Sequence, residues 1–242
     1  MRWQRPSDVP IGQVWRRFQG RTKNGVPGRW YQIRDMEKQH KNECLQLMLD
    51  TFLRDEPLVQ VLEVASDPVS VATIKENWLQ YMSQNICLAC FAEENGEPSE
   101  LVGFNVLTVR SKEDQEEDIE KVKGEPWKKL LKTLTAAENL VDIFTYFDVD
   151  KFLTSSGLTV SKEHRGQNIG AHIFAAREPL CKALGIKATA TVFTAITSQV
   201  LAAKCGYQVL GELLYEDMME YGIDLTKCET KTAKLMGVKF AH

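Results

Sequence analysis

Residues 152–173 read FLTSSGLTVSKEHRGQNIGAHI, and this stretch decides the fold class. The first nine are rich in β-branched and small side chains and suit a strand. The ten that follow, SKEHRGQNIG, are polar and carry two glycines, as a turn does. Apolar residues then recur at Ile169, Ile173, Leu180 and Leu184, one stripe of a helix. The unit is strand, glycine-bearing turn, helix. Pro179 lacks a backbone donor and is expected to bend that helix.

The alternation continues outward. Downstream, KATATVFTA (187–195) reads as a strand, SQVLAAKCGY (198–207) as a short helix and YQVLGELLY (207–215) as a strand. Upstream, RWYQIR (29–34) is a short strand, and Cys44, Leu47, Met48 and Phe52 give residues 38–54 a helical apolar face. Pro57 drives Glu56 toward extended backbone, so this helix should end near Arg54 or Asp55. Residues 69–84 form a second helix with Val71, Ile74, Trp78 and Tyr81 on one side. ICLACFAEE (86–94) and LVGFNVLTV (101–109) flank an Asn-Gly turn and suggest a hairpin. Residues 127–147 read as one helix bearing Leu130, Leu131, Leu134 and Leu140. The expected architecture is α/β, a mixed sheet flanked by helices. One domain is expected over residues 29–242, preceded by a basic arm (1–28) and interrupted by an acidic surface insertion at about 111–125.

Composition removes several classes of function. With 30 Lys plus Arg against 33 Asp plus Glu, 43% hydrophobic and 26% charged residues, the 242-residue chain is neither disordered nor fibrous. No apolar run approaches the roughly 20 residues that span a bilayer. The opening MRWQRPSDVP lacks the apolar stretch of a secretory leader. The six cysteines are scattered and read as reduced thiols, so a cytoplasmic protein is expected. Cys87 and Cys90 form a CxxC inside a strand, where alternation sends residues three apart to opposite faces. With no second CxxC and no spaced His pair, no metal site is expected. Residues 1–40 carry nine Lys or Arg against Asp8, Asp35 and Glu37, yet show no nucleic-acid reading motif. A solvated basic edge is the expectation, with neither nucleic acid nor membrane as partner and the chain acting as a monomer.

A turn that enters a helix leaves its first amides unpaired, and their partial positive charge receives a phosphate. RGQNIGA (165–171) offers such a nest: Gly166 and Gly170 lack Cβ atoms and Arg165 adds a charge. Neither GxGxxG nor GxxxxGK[ST] occurs, which speaks against NAD and nucleoside triphosphates.

The same stretch resembles the acyl-CoA signature [RQ]xxGx[GA] of the GNAT N-acetyltransferases, read here as Arg165, Asn168, Gly170. Asn168 stands where the family usually has glycine, and asparagine tolerates left-handed angles better than most residues. FLRDEPL (52–58), FDVDKFLTSSGLTV (147–160) and TKTAKLMGVKF (230–240) narrow the resemblance to the insect arylalkylamine N-acetyltransferase group, from about residue 29 to the end. The resemblance implies the GNAT fold, a splayed, mostly antiparallel mixed sheet, with acetyl-CoA as co-substrate. It implies coenzyme contacts at Leu158, Thr159, Val160, Arg165, Gly166, Gln167, Asn168, Ile169, Gly170, Ala171 and Ser198. Glu56 matches the acidic residue taken as general base. Ser198 matches a serine with a catalytic or cofactor role, and Thr194 keeps the hydroxyl of a second family serine. Phe52, one helical turn before Glu56, is a candidate for lining the substrate pocket beside it.

The chemistry is consistent with these roles. An amine with a pKa near ~10 is cationic at neutral pH and must lose a proton before attacking a thioester. A partly buried Glu56 has a raised pKa and attracts a cation. An amide near Leu158–Val160 stabilises the oxyanion if adjacent strands splay, and the hydroxyls of Ser198 and Thr194 can give the departing thiolate a proton or a hydrogen bond. The expected activity is acetyl transfer to a small arylalkylamine of the dopamine, tyramine, serotonin or tryptamine class. Rival readings are a polyamine or other small-amine acetyltransferase, a non-catalytic acyl-CoA sensor, and a nucleic-acid adaptor using the basic arm. Asp55, Glu56, Asp142, Asp148 and Asp150 would favour a polycation if they met in space.

Overall fold

Asn95 and Gly96 adopt φ of 53° and 87°, the left-handed pair that a two-residue hairpin needs. They join β3 (Leu88–Glu94) to β4 (Glu97–Ser111). This hairpin lies inside an eight-stranded sheet with β1 (Val14–Gln19), β2 (Trp30–Asp35), β5 (Lys151–Val160), β6 (Ala188–Phe193), β7 (Gln208–Leu214) and β8 (Thr232–Lys239). The order is β1-β2-β3-β4-β5-β6-β8-β7, and all neighbours are antiparallel except β5 and β6. The computed structural model describes residues 3–115 and 118–242. Met1 and Arg2 of the basic arm and Glu116 and Glu117 of the acidic stretch lie outside the described residues.

Strand alternation sorts the core onto two faces. Ala89, Phe91, Phe104 and Val106 meet α1 (Lys41–Leu47), α4 (Pro68–Met82) and α5 (Glu125–Glu138) through Cys44, Ile74, Trp78 and Leu130. Leu88, Cys90, Leu107 and Leu153 meet Ile169, Ile173 and Leu180 of α7 (Ile169–Ala183) on the other face. The CxxC is divided in this way: Cys87 belongs to the first cluster and Cys90 to the second. Burial pushes the thiols of Cys44, Cys87, Cys90 and Cys181 up, while Cys205 is only half-buried. A thiol reagent should therefore modify Cys205 first in the native protein and all six cysteines after denaturation; early labelling at Cys87 or Cys90 would contradict this packing.

Several elements depart from the sequence expectation. The segment 38–54 is helical but not uniform: after α1 a π-helical turn, Met48–Phe52, leads into α2 (Leu53–Asp55). The buried face of α4 is Ser70, Ile74, Trp78 and Met82, rotated from the expected one because α5 covers Ser70, whose Oγ accepts the Trp127 amide at 3.1 Å. The expected helix 127–147 is two helices, since Asp142 caps α6 (Ile143–Phe147) by accepting the Phe144 amide at 3.0 Å. Strands β1 and β8 are additions to the expected set. The first lies within the basic arm and pairs along β2 from Val14 to Gln19. Two arginines of that arm form ion pairs. Arg5 makes a two-pronged contact with the buried Asp35 at 2.9 and 3.0 Å, and Arg17 reaches the buried Glu93 at 2.7 Å.

Candidate active site

The parallel strands β5 and β6 pair only at Leu153 and Thr189 and then part. At the wedge between them lies a cleft of about 540 Å³, lined by residues from both faces of the sheet. A bulge in β5 shapes one wall: Asn105 faces Leu158 and Leu107 faces Ser155, so Val106 opposes both Ser156 and Gly157. The extra residue reverses the strand's parity, and Leu153 and Val160 both turn toward α7. Gly157 has φ +127°, and a Cβ there would meet Met48 Cε at 2.7 Å and the Phe52 ring at 3.1 Å. Only glycine lets the π-helical turn approach β5 so closely.

A buried network pins this bulge. Asn105 Nδ2 donates to Ser155 Oγ and to the Gly157 carbonyl, both at 2.8 Å. Its Oδ1 accepts from Arg177 Nη2 at 2.9 Å and Nε at 3.2 Å. Arg177, only 1% exposed, also donates to Tyr207 Oη at 3.1 Å and lies 4.2 Å over the Phe174 ring. Its partners are neutral dipoles and a π-face instead of a carboxylate. Sequence reasoning singles out neither Asn105 nor Arg177; an arginine in an otherwise apolar helix face is the signal that could have found them.

Glu56 has φ −76° and ψ 124°, extended as Pro57 requires, and it separates α2 from α3 (Pro57–Val61). That geometry makes it the N-cap of α3, with Oε2 accepting the Val59 amide at 2.6 Å. Its Oε1 accepts the Thr194 hydroxyl at 2.6 Å. Burial pushes the Glu56 carboxyl up, against the opposing pull of the hydrogen bonds from Thr194, Val59 and Leu58. Tyr215, which donates to the Thr194 carbonyl at 2.9 Å, is itself pushed up by burial and by Glu56. Thr194→Val removes one of the contacts holding Glu56 down. The acid limb of kcat/KM should then move to higher pH, and an unmoved limb would uncouple Thr194 from the carboxylate.

Ser198 lines the same cleft but does not open its helix. The N-cap of α8 (Ile196–Lys204) is Ala195, whose carbonyl accepts the Ser198 hydroxyl at 2.8 Å. Phe52 lines the cleft edge-on to Trp78 at 5.8 Å. With Val59, Ile74, Trp127, Leu130 and Leu134 it forms an apolar wall. The Trp127 indole N–H in that wall has no hydrogen-bond partner.

The proposed coenzyme loop adjoins the cleft, which Val160 and Arg165 line and residues 166–171 do not. The Ser161 amide pairs with Val102 O at 2.8 Å. Alternation therefore leaves the amides of Leu158 and Val160 on the edge that β6 has vacated, with Thr159 turned to β4. Arg165 Nε donates to Val160 O at 3.1 Å, and its Nη2 meets Asp55 Oδ2 at 2.5 Å. Gly166 and Asn168 have φ of 81° and 64°, so asparagine adopts the left-handed form here. Between them Gln167 Oε1 is buried without a partner. Ile169 anchors the first turn of α7 in the core, followed by Gly170 and Ala171. A Cβ on Gly170 would meet Leu201 of α8 at 3.0 Å. A loop with left-handed turns and free amides fits a diphosphate's approach. Among the described residues no group of three or more His, Cys, Asp or Glu is placed to hold a metal ion. None of their helices is long and apolar enough to cross a membrane.

A mostly antiparallel sheet splayed at one parallel junction, with a strand, glycine-bearing turn and helix at the splay, is the GNAT acetyltransferase fold. The chain has insect arylalkylamine N-acetyltransferases as structural neighbours. It is similar over 98% of its length to the protein designated arylalkylamine N-acetyltransferase 7 of the yellow fever mosquito Aedes aegypti, covering 99% of that chain at 29% identity and a TM-score of 0.90. Arylalkylamine N-acetyltransferase 2 of Aedes aegypti shares the fold at 20% identity and a TM-score of 0.76, over 86% of this chain and 98% of that one. Polyamine N-acetyltransferase of Drosophila melanogaster, which forms N-acetylagmatine, does so at 21% identity and 0.73, over 87% and 100%. No protein-family model and no curated protein matches the sequence.

Proposed function

We propose that this protein transfers the acetyl group of acetyl-CoA to the primary amine of a small arylalkylamine, by direct attack in a ternary complex with Glu56 as general base. The observation that carries the reading is the state of Glu56. Of the two carboxylates lining the cleft, Asp55 is ion-paired with Arg165, whereas Glu56 meets only neutral donors. It can attract an ammonium and take its proton. Amides of Leu158 and Val160 on the vacated strand edge stabilise the oxyanion. The thioester supplies an activated acyl carbon, so the chain needs neither a metal nor a covalent enzyme intermediate. Thr194 and Ser198 both donate within the protein, to Glu56 and to Ala195, so one hydroxyl must rotate to serve the departing thiolate. Much of the remaining acceleration comes from holding amine and thioester together.

The wall of the cleft favours an aromatic amine over a polyamine. Phe52, Val59, Ile74, Leu130 and Leu134 give a second cation no counter-charge. The acidic residues that would favour a polycation are not gathered there: Asp142 caps α6, Asp150 pairs with Lys112 at 2.8 Å, and neither they nor Asp148 lines the cleft. The protein acts as a monomer in the cytoplasm, where its thiols stay reduced. A thiol-release assay with acetyl-CoA over arylalkylamines, polyamines and peptide amines tests this. Turnover should be greatest with an arylalkylamine. Preference for a polyamine would move the substrate class, and coenzyme binding without amine-dependent release would indicate a sensor.

A further inference from the structure

The N-terminal segment is built onto the loop to which the proposed function assigns the coenzyme. Phe18 of β1 stacks on His172 in the first turn of α7, with ring centroids 3.7 Å apart, and Arg16 Nε donates to His172 Nδ1 at 2.9 Å. Burial and Arg16 together push the His172 imidazole down, which keeps it a neutral acceptor for that bond. Just past β1 the chain fits so tightly that a Cβ on Gly20 would lie 2.7 Å from Gln167 Oε1. Arg21 then donates from Nη2 to Asn168 Oδ1 at 2.6 Å. Asn168 is the N-cap of α7, but its side chain does not cap its own helix; it holds Arg21 instead.

This puts a guanidinium at the positive end of a helix, beside unpaired amides, with no carboxylate of the described residues ion-paired to it. Arg165, the cation of the acyl-CoA motif, is already paired with Asp55. A cation at a helix N-terminus is electrostatically unfavourable unless an anion lies between them. We infer that Arg21 binds a phosphoryl group of the acyl-CoA, so that the segment before residue 29 supplies part of the coenzyme site that the acyl-CoA motif leaves without a free charge. The inference rests on the coenzyme reading of the 165–171 loop. Arg21 is exposed, so replacing it leaves the core intact.

The test is Arg21→Gln, read by calorimetry with CoA and by kinetics with acetyl-CoA and with S-acetylpantetheine, which has the thioester but neither the diphosphate nor the 3′-phosphate. The variant should bind CoA roughly tenfold more weakly, as expected for one charge-assisted contact. Its turnover of S-acetylpantetheine should equal that of wild type, and Arg21→Lys should recover part of the loss. With dephospho-CoA, a persisting loss assigns Arg21 to the diphosphate and a vanished loss to the 3′-phosphate; both support the inference. Unchanged CoA affinity in Arg21→Gln, or an equal loss with S-acetylpantetheine, overturns it while leaving the acetyltransferase reading intact. Absence of CoA binding in wild type would overturn both.

Discussion

Glu56→Gln should lower kcat by roughly 10²–10⁴, the scale of a lost general base, while the Michaelis constant for acetyl-CoA changes little. The carboxylate caps α3 through Val59 and accepts from Thr194, and a glutamine carbonyl can keep one of these contacts, so the loss should be chemical instead of structural. The pH profile separates the two. Because burial raises the Glu56 pKa, wild-type kcat/KM should fall on acidification at a pH above the ordinary carboxylate range. In the variant that limb should be gone. Stability carries the opposite sign: a carboxyl whose folded pKa exceeds its unfolded value binds its proton more tightly when folded, so its contribution grows as pH falls through that window. Glu56→Gln should flatten this slope. Full turnover in the variant, or an unchanged acid limb, would remove Glu56 from the mechanism.

Asn105→Leu is expected to have the largest effect on stability. It takes away the acceptor for two N–H groups of Arg177 and leaves a guanidinium at 1% exposure with only Tyr207 and the Phe174 ring. Leaving a buried charge without its partner costs about 3–5 kcal/mol, which for a domain of this size is a fall in Tm of roughly 6–20 °C. The bulge at Ser156–Gly157 would also lose the two contacts that fix it, so activity should fall beyond what unfolding explains. The double variant Asn105→Leu/Arg177→Met, which removes the charge as well, should regain much of the Tm but not the activity. A single variant melting within about 2 °C of wild type would show that the network is dispensable.

Part of the site is legible in the sequence alone. Glu56 is extended because Pro57 follows it, and the helix stops at Asp55 for the same steric reason. Asn168 takes the left-handed conformation expected of it in the turn, and Cys87 and Cys90 face apart because a strand alternates. The break at Asp142 is hidden because the apolar spacing of Leu130, Leu134 and Leu140 suggests continuity, whereas a local cap restarts the helix. The strand β8 is hidden as well; it enters the sheet between β6 and β7 and is defined by its neighbours more than by its own composition.

Adjacent residues thus determined the backbone at Glu56 and Asn168, the turn at 161–170 and the alternation of the strand faces, because steric exclusion and side-chain periodicity act within a few residues. Tertiary structure alone decided that Thr194 would reach Glu56, that Arg177 would sit on Asn105, and that β1 would deliver Arg21 to Asn168. Those contacts join residues far apart in the chain. Their geometry follows from one parallel junction at Leu153 and Thr189 and one inserted residue in β5, and a small change in register there would move every side chain in the cleft.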